Sequence, residues 1–203
     1  RLDKGWLIER RQKINFRFNG QQVTGFKGDT IASALMASGH MLVGRSFKYH
    51  RPRGIMSAGV EEGGALFNTG DGAARVPNVK GTVTEISEGL RVYSQNVFPS
   101  PGFDLGAVNG LIAPFITAGF YYKTFMGPFA NTKFWMLCER FIRRAAGLGQ
   151  ASREADPSRY DIANGFCDAL VIGSGPAGLT AAAGLADQGL NVMLVEEALE
   201  GGG

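Results

Sequence analysis

Residues 168–197 read DALVIGSGPAGLTAAAGLADQGLNVMLVEE, and this stretch decides how the chain is read. Ala169 to Ile172 is a short apolar run rich in branched residues, suited to a parallel strand buried on both faces. Gly173, Gly175 and Gly178 follow at Gly-x-Gly-x-x-Gly spacing. The first permits a tight turn, the second lets backbone approach a pyrophosphate, and the third lets the helix lie close to the strand. Pro176 and Ala177 open that helix, where free N–H groups and the positive dipole end favour a diphosphate. Small residues at Ala177, Ala181 and Gly184 leave little bulk on one helix face. A second strand, Asn191 to Val195, ends at Glu196, placed to accept hydrogen bonds from a ribose 2′-hydroxyl. An acid there disfavours a 2′-phosphate, so the unit predicts NAD or FAD rather than NADP, and the fingerprint alone does not choose between those two. The alternative is a strand-turn-helix with no ligand; with 30 glycines in the chain the spacing alone can recur by chance, so the reading rests on all four elements occurring together.

Two strands do not complete a dinucleotide-binding sheet, so the expectation is that residues 166–203 are the start of a domain within a longer polypeptide. Upstream, the chain predicts a separate small domain over residues 1–97. Ile14, Phe16 and Phe18 alternate with Asn15, Arg17 and Asn19, Asn19-Gly20 is a hairpin turn signal, and Val23 to Phe26 forms the return strand. Gly28-Asp29-Thr30 precedes a helix that Asp29 or Thr30 can cap, with Ile31, Ala34 and Leu35 on its apolar side and Gly39 as its stop. A hairpin followed by one helix suggests a β-grasp arrangement. Ala65 to Thr69, Gly81 to Ile86 and Leu90 to Tyr93 are the further strand candidates. Fold class is thus α+β followed by α/β: a β-grasp, ferredoxin-like domain and then the first βαβ unit of a Rossmann-type domain.

Between these strands, residues 45–54 read RSFKYHRPRG, with five basic side chains counting His50. They suit an anion, or else form a solvated loop or a subunit contact. Residues 98–165 are an aromatic-rich connecting or interface segment. Phe134, Leu137, Cys138, Phe141 and Ile142 recur there at helical spacing, with Gly147 as a stop, and Ser152 to Asp161 reads as a surface linker. The apolar run Leu105 to Phe120 is interrupted by glycines and Pro114 and falls short of the ~20 residues of a membrane span.

Composition bounds the remaining functions. The 21 basic and 18 acidic residues leave a formal charge of +3, too little to argue for nucleic acid. Cys138 and Cys167 are the two cysteines, too few for a disulfide framework or a four-thiolate metal site. No signal-like segment opens the sequence as given, so a cytoplasmic location is expected.

Taken in order, several segments resemble the N-terminal part of the alpha subunits of heterotetrameric sarcosine oxidases. They are the hairpin domain with FKYHRPRG (47–54), GFYYKTFMGP (119–128), IRRAAGLG (142–149), DPSRYD (156–161) and CDALVIGSGPAG (167–178). The resemblance implies a complex of four different subunits, alpha, beta, gamma and delta, that oxidises sarcosine and passes electrons through flavins to oxygen. The products would be glycine, hydrogen peroxide and a one-carbon unit on tetrahydrofolate. It further implies NAD on the alpha subunit's dinucleotide domain, FAD and the amine-oxidising site on beta, FMN between alpha and beta and covalently attached to beta, and a folate domain later in alpha. By motif, Gly173, Gly175, Pro176, Ala177 and Gly178 would surround the diphosphate, and Glu196, Glu197 and Ala198 would face the adenosine ribose. No catalytic residue and no metal ligand maps onto the chain. The family pattern has an arginine where Ala198 stands.

The N-terminal domain also resembles the [2Fe–2S] ferredoxin domains of related amine and opine dehydrogenases. The loop 54–64, which holds cluster cysteines in those proteins, has none, so no iron–sulfur cluster is expected. That favours an oxidase over the alternative, a flavin dehydrogenase subunit relaying electrons to an acceptor other than oxygen.

Overall fold

A computed structural model describes residues 8–111, 113–115, 133–145, 147–197 and 201–202. They group into two compact units, Arg1–Ser158 and Arg159–Gly203.

The first unit is built on a five-stranded mixed sheet. Strand β1 (Glu9–Phe18) turns at Asn19-Gly20 into antiparallel β2 (Gln21–Lys27) with Phe16 opposite Val23. Both turn residues have positive φ, 49° and 85°, the two-residue hairpin geometry that Asn-Gly favours. Phe16, Phe18 and Val23 face inward while Arg17 and Gln22 face out, the period-2 alternation expected of a sheet with one wet face. Helix α1 (Ile31–Ala37) packs on the inner face. Its N-cap is Thr30, which accepts from the Ser33 amide while Ser33 accepts from the Thr30 amide, a reciprocal capping box. Asp29 is fully buried one residue earlier and accepts from the Phe26 amide and the Ser33 hydroxyl. Gly39, at φ +82°, follows the helix end as expected.

The two short strands β3 (Gly44–Arg45) and β4 (Pro52–Arg53) pair antiparallel and carry the basic loop. The main sheet continues with β5 (Leu66–Thr69), β6 (Val76–Lys80) and β7 (Arg91–Ser94), giving the order β2-β1-β7-β5-β6. β1 and β7 run parallel at its centre, and the other pairings are antiparallel. The core gathers Phe16, Phe18, Val23, Ile31, Ala34, Leu35, Val43, Ala65, Phe67, Ile86 and Val92 from sheet, helix and loops. The Phe18 and Phe67 rings meet edge to face at 6.0 Å, a favoured aromatic geometry.

One expected strand is absent. Residues 81–86 do not extend in a ladder but wrap the start of α1, where the Gly81 and Thr84 carbonyls accept from the Ala32 and Ile31 amides. Their backbone satisfies helix N–H groups that have no partner within the helix. The strand lies just before, at Val76–Lys80, where Pro77 hides it. Because β6 is an edge strand, a residue without N–H is tolerated, and Asn78 at φ +58° marks the irregularity in its pairing with β5.

Beyond β7, two 3-10 turns cover Leu105–Gly110 and Ala113–Phe115, and helix α2 spans Lys133–Ala145. Cys138 is buried, while Phe134 and Leu137 of the same apolar stripe are about half exposed. Gly147, at φ +66°, follows as the expected stop. The segment 119–128 lies outside the described residues. No helix among the described residues is long and apolar enough to cross a membrane.

The second unit contains β8 (Ala169–Ile172), α3 (Pro176–Asp187) and β9 (Val192–Val195), with the two strands parallel and Ala169 opposite Val192. The expectation of a strand buried on both faces is not met. Leu170 and Ile172 are 54% and 81% exposed, because among the described residues one helix and one neighbouring strand leave the other face of β8 uncovered.

Candidate dinucleotide site and related proteins

Each fingerprint glycine has a distinct environment at the end of β8. Gly173 adopts φ +94°, open to glycine at little cost and strained for a side chain. A Cβ on Gly178 would run into the Gly173 carbonyl oxygen, so the helix can sit this close to the turn only without one. Gly175 differs from both. It caps α3 at φ −63° and ψ 174°, allowed for any residue, and a Cβ there would meet nothing within 4 Å. The space in front of the helix N-terminus is open, and a residue without a side chain keeps it so. Pro176 stands in the first turn of α3, where its missing N–H is no loss.

Glu196 reaches the same turn from the end of β9. Its carboxylate accepts from the Ser174 amide at 2.5 Å and the Ser174 hydroxyl at 2.8 Å, and its other oxygen accepts from the Glu197 amide at 2.9 Å. The structure thus brings Gly173, Gly175, Pro176, Ala177, Gly178 and Glu196 to one edge, with Glu197 adjoining through its backbone. Ala198 lies outside the described residues. Ser174, 3% exposed, was not picked out from the sequence. It is a variable position of the Gly-x-Gly motif, and the signal that could have found it is the acid at the end of the following strand, which needs a donor when it lies beside the turn. This donor set, with N–H groups at a helix start and a carboxylate one strand away, is chemically suited to the diphosphate and ribose of an adenine dinucleotide.

The basic loop is partly turned to internal use. The Arg45 guanidinium donates to the Pro101 carbonyl at 2.8 and 2.6 Å and to the His50 carbonyl at 3.1 Å. His50 meets the fully buried Asp104 carboxylate at 2.6 Å, and Asp104 also accepts from the Phe98 and Gly106 amides. Lys48 and Arg51 lie 4.9 and 4.8 Å from the Tyr49 ring, within cation–π range. A cleft of about 460 Å³ remains, lined among others by Lys48, Arg51, Arg53, Gly63 and Gly64 and by no acid. On the outer surface, a hydrogen bond to Asp71 and partial burial raise the Tyr93 phenol's pKa, while Tyr93 and Arg91 lower that of Asp71.

Residues 11–97 match the family described as a 2Fe-2S iron-sulfur cluster binding domain, and residues 168–203 match the FAD binding domain family. The residues of the first do not fit a cluster. Both cysteines lie outside 11–97, and no group of three or more His, Cys, Asp or Glu side chains among the described residues could hold a metal. In the loop 54–64 the amides of Met56, Ser57 and Gly64 instead donate to the Glu62 carboxylate at 2.6, 2.6 and 2.5 Å.

Relatives match the whole chain. A sarcosine oxidase subunit alpha of Rhizobium meliloti (strain 1021) is 53% identical over 100% of this chain and 20% of its own length. One of Corynebacterium sp. (strain U-96) is 33% identical over 98% of this chain and 16% of its own length. This chain therefore spans about a fifth of the relatives it matches. The crystal structure of L-proline dehydrogenase from P. horikoshii superposes at a TM-score of 0.44 and 18% identity, over 97% of this chain and 27% of that one. By sequence, the chain is similar over its whole length to the N-terminal part of sarcosine oxidase alpha subunits.

Proposed function

We propose that this chain carries the start of the adenine-dinucleotide site of a flavin-dependent sarcosine oxidase alpha subunit, and that the dinucleotide is NAD in an accessory, non-redox role. Gly173, Gly175, Pro176, Ala177 and Gly178 would hold the diphosphate against the N-terminus of α3. Glu196, with Glu197 and Ala198 beside it, would read the adenosine ribose, and Ser174 would orient Glu196. The observation that carries the reading is the open space at Gly175, bounded by a turn that neither Gly173 nor Gly178 could form with a side chain. In this role the residues here would bind and orient the adenosine diphosphate end, and hydride chemistry would not be asked of the nicotinamide ring.

Oxidation of sarcosine is assigned in this reading to a beta subunit carrying FAD, with FMN shared between alpha and beta. Gamma and delta subunits complete the complex, and tetrahydrofolate binds a later domain of alpha. The β-grasp domain at residues 1–97 is then a scaffold of ferredoxin type, supported by its mixed sheet on one helix. The test is to denature the purified full complex and identify its released ligands by mass. NAD at one per alpha subunit is expected, and its absence, or FAD alone, overturns the NAD reading. With sarcosine and oxygen the complex should form peroxide, and dye reduction without peroxide would assign it instead to the dehydrogenases.

A further inference from the structure

We infer that Glu62 is a built-in anion that takes the place of the iron–sulfur cluster in this ferredoxin-family domain, so that the loop keeps the backbone arrangement of an anion site and supplies its own occupant. Three independent observations converge on it.

The first is position. Ser57, Glu62 and Ala65 fall at the spacing of the first three cysteines in a plant-type cluster motif, with four residues between the first pair and two between the second. Counting from Ser57, Glu62 falls at the middle position of that spacing, in a loop that lies within the segment matching a 2Fe-2S family and has no thiol.

The second is coordination. The carboxylate is 3% exposed and is met by main chain from both ends of the loop, Met56 and Ser57 on one oxygen and Gly64 on the other. No ion pair among the described residues includes Glu62, so backbone dipoles rather than a cation offset its charge. Successive amides aimed at one point form a concave anion site, the same kind of environment that hydrogen-bonds cluster sulfurs and tunes them. Burial pushes the carboxyl pKa up, yet the amides of Ser57, Gly64, Met56 and Ala65 outweigh it and hold the group below its ordinary value.

The third is closure around the group. A Cβ on Gly64 would come within 3.0 Å of a Glu62 oxygen and 3.1 Å of the Gly54 carbonyl, so the loop closes tightly on the carboxylate. The Ser57 hydroxyl, first in that spacing, is buried beside the Glu61 carboxylate. Ala65, at the third, is fully buried in the core. Outer anchors keep the loop in place: Thr82 donates to the Gly59 carbonyl at 2.8 Å and Lys80 to the Val60 carbonyl at 2.6 Å. A thiolate-ligated cluster is an anion much larger than a carboxylate, and removing it with its cysteines would leave these amides unsatisfied at considerable cost. A glutamate at the middle position repairs that with one side chain, and the domain then folds without iron.

The test uses the full-length alpha subunit in its complex and reads backbone hydrogen exchange of segment 56–64, with the β1–β2 hairpin as internal reference. Glu62→Ala should exchange at Met56, Ser57 and Gly64 at least about tenfold faster, the loss expected when a buried charged acceptor is removed. Formate should restore much of the protection by entering the vacated site, while chloride at equal ionic strength should not. Unchanged exchange in Glu62→Ala, or equal rescue by both salts, overturns the proposal. Where Glu62→Ala does not assemble, wild type answers alone. A carboxyl with a depressed folded pKa contributes stability above its unfolded pKa and loses it as pH falls through the folded one. Protection of these three amides should therefore drop relative to the hairpin only below the unfolded value of about 4.3, and protection that stays level down to pH 2.5 overturns the proposal.

Discussion

Replacing Gly175 with Asp should separate folding from binding at the turn, because the two respond with opposite sign. In the free protein the substitution is easy: φ is −63° and ψ 174°, and a Cβ finds open space. An aspartate there is a good N-cap whose oxygen can accept from the first-turn amides, a gain over glycine of a few tenths of a kcal/mol. With a dinucleotide bound, the same carboxylate faces a diphosphate across a few ångströms. At about 4 Å and an effective dielectric constant near 20, one pair of unit charges costs about 4 kcal/mol, roughly a thousandfold in dissociation constant. The assay is dinucleotide released per alpha subunit on denaturing the purified complex, followed by titration back into ligand-stripped protein. Gly175→Asn is the control, since it caps the helix and fills the same volume without the charge. The Asp variant should be empty where the Asn variant retains measurable affinity. Full occupancy in Gly175→Asp, or equal losses in Asp and Asn, would refute the assignment of this space to a diphosphate.

Gly178→Ala tests the other side of the motif. Its methyl meets the Gly173 carbonyl, so the turn must open at a cost of about 1–3 kcal/mol, seen as earlier thermal unfolding and faster proteolysis of residues 166–197 together with ligand loss. Ser174→Ala removes the hydroxyl but keeps the amide that holds Glu196; the carboxylate loses one of the hydrogen bonds that anchor it, and preference for NAD over NADP should fall by about tenfold in direct titrations. In the first unit Phe67 is fully buried against Phe18, and Phe67→Ala should destabilise that domain by about 3–5 kcal/mol in denaturant unfolding, while a loss below 1 kcal/mol would mean that this core is not the one described.

The sequence was most legible where one local rule dominates. Asn19-Gly20 between two alternating runs specified the hairpin, and the strand-glycine-helix run with Glu196 specified the second unit, because each is decided within a few residues. Val76–Lys80 was missed for the opposite reason. Pro77 argues against a strand unless that strand lies at an edge, and edge position follows from the assembled order of five strands. Gly81–Ile86 alternates as a strand does, yet its carbonyls are drawn to the N-terminus of α1, a tertiary demand that outweighs a local pattern.

Buried acids were the least legible class, and they share one physical cause. Asp29, Glu62 and Asp104 are 0%, 3% and 8% exposed, although such residues ordinarily read as surface. Each accepts from main-chain amides at the end of a strand or in a loop: Phe26 near the end of β2 for Asp29, Met56, Ser57 and Gly64 for Glu62, and Phe98 and Gly106 for Asp104. Asp104 adds an ionisable partner, His50. A loop packed against a core must pair its amides with something, and a carboxylate with two oxygens can gather several at once. The basic stretch 45–54 followed the same logic from the other side, since Arg45 donates to the carbonyls of Pro101 and His50. The buried acids of this domain and Arg45 are met largely by backbone, which is why part of the stretch that reads as a candidate anion surface serves as internal scaffolding.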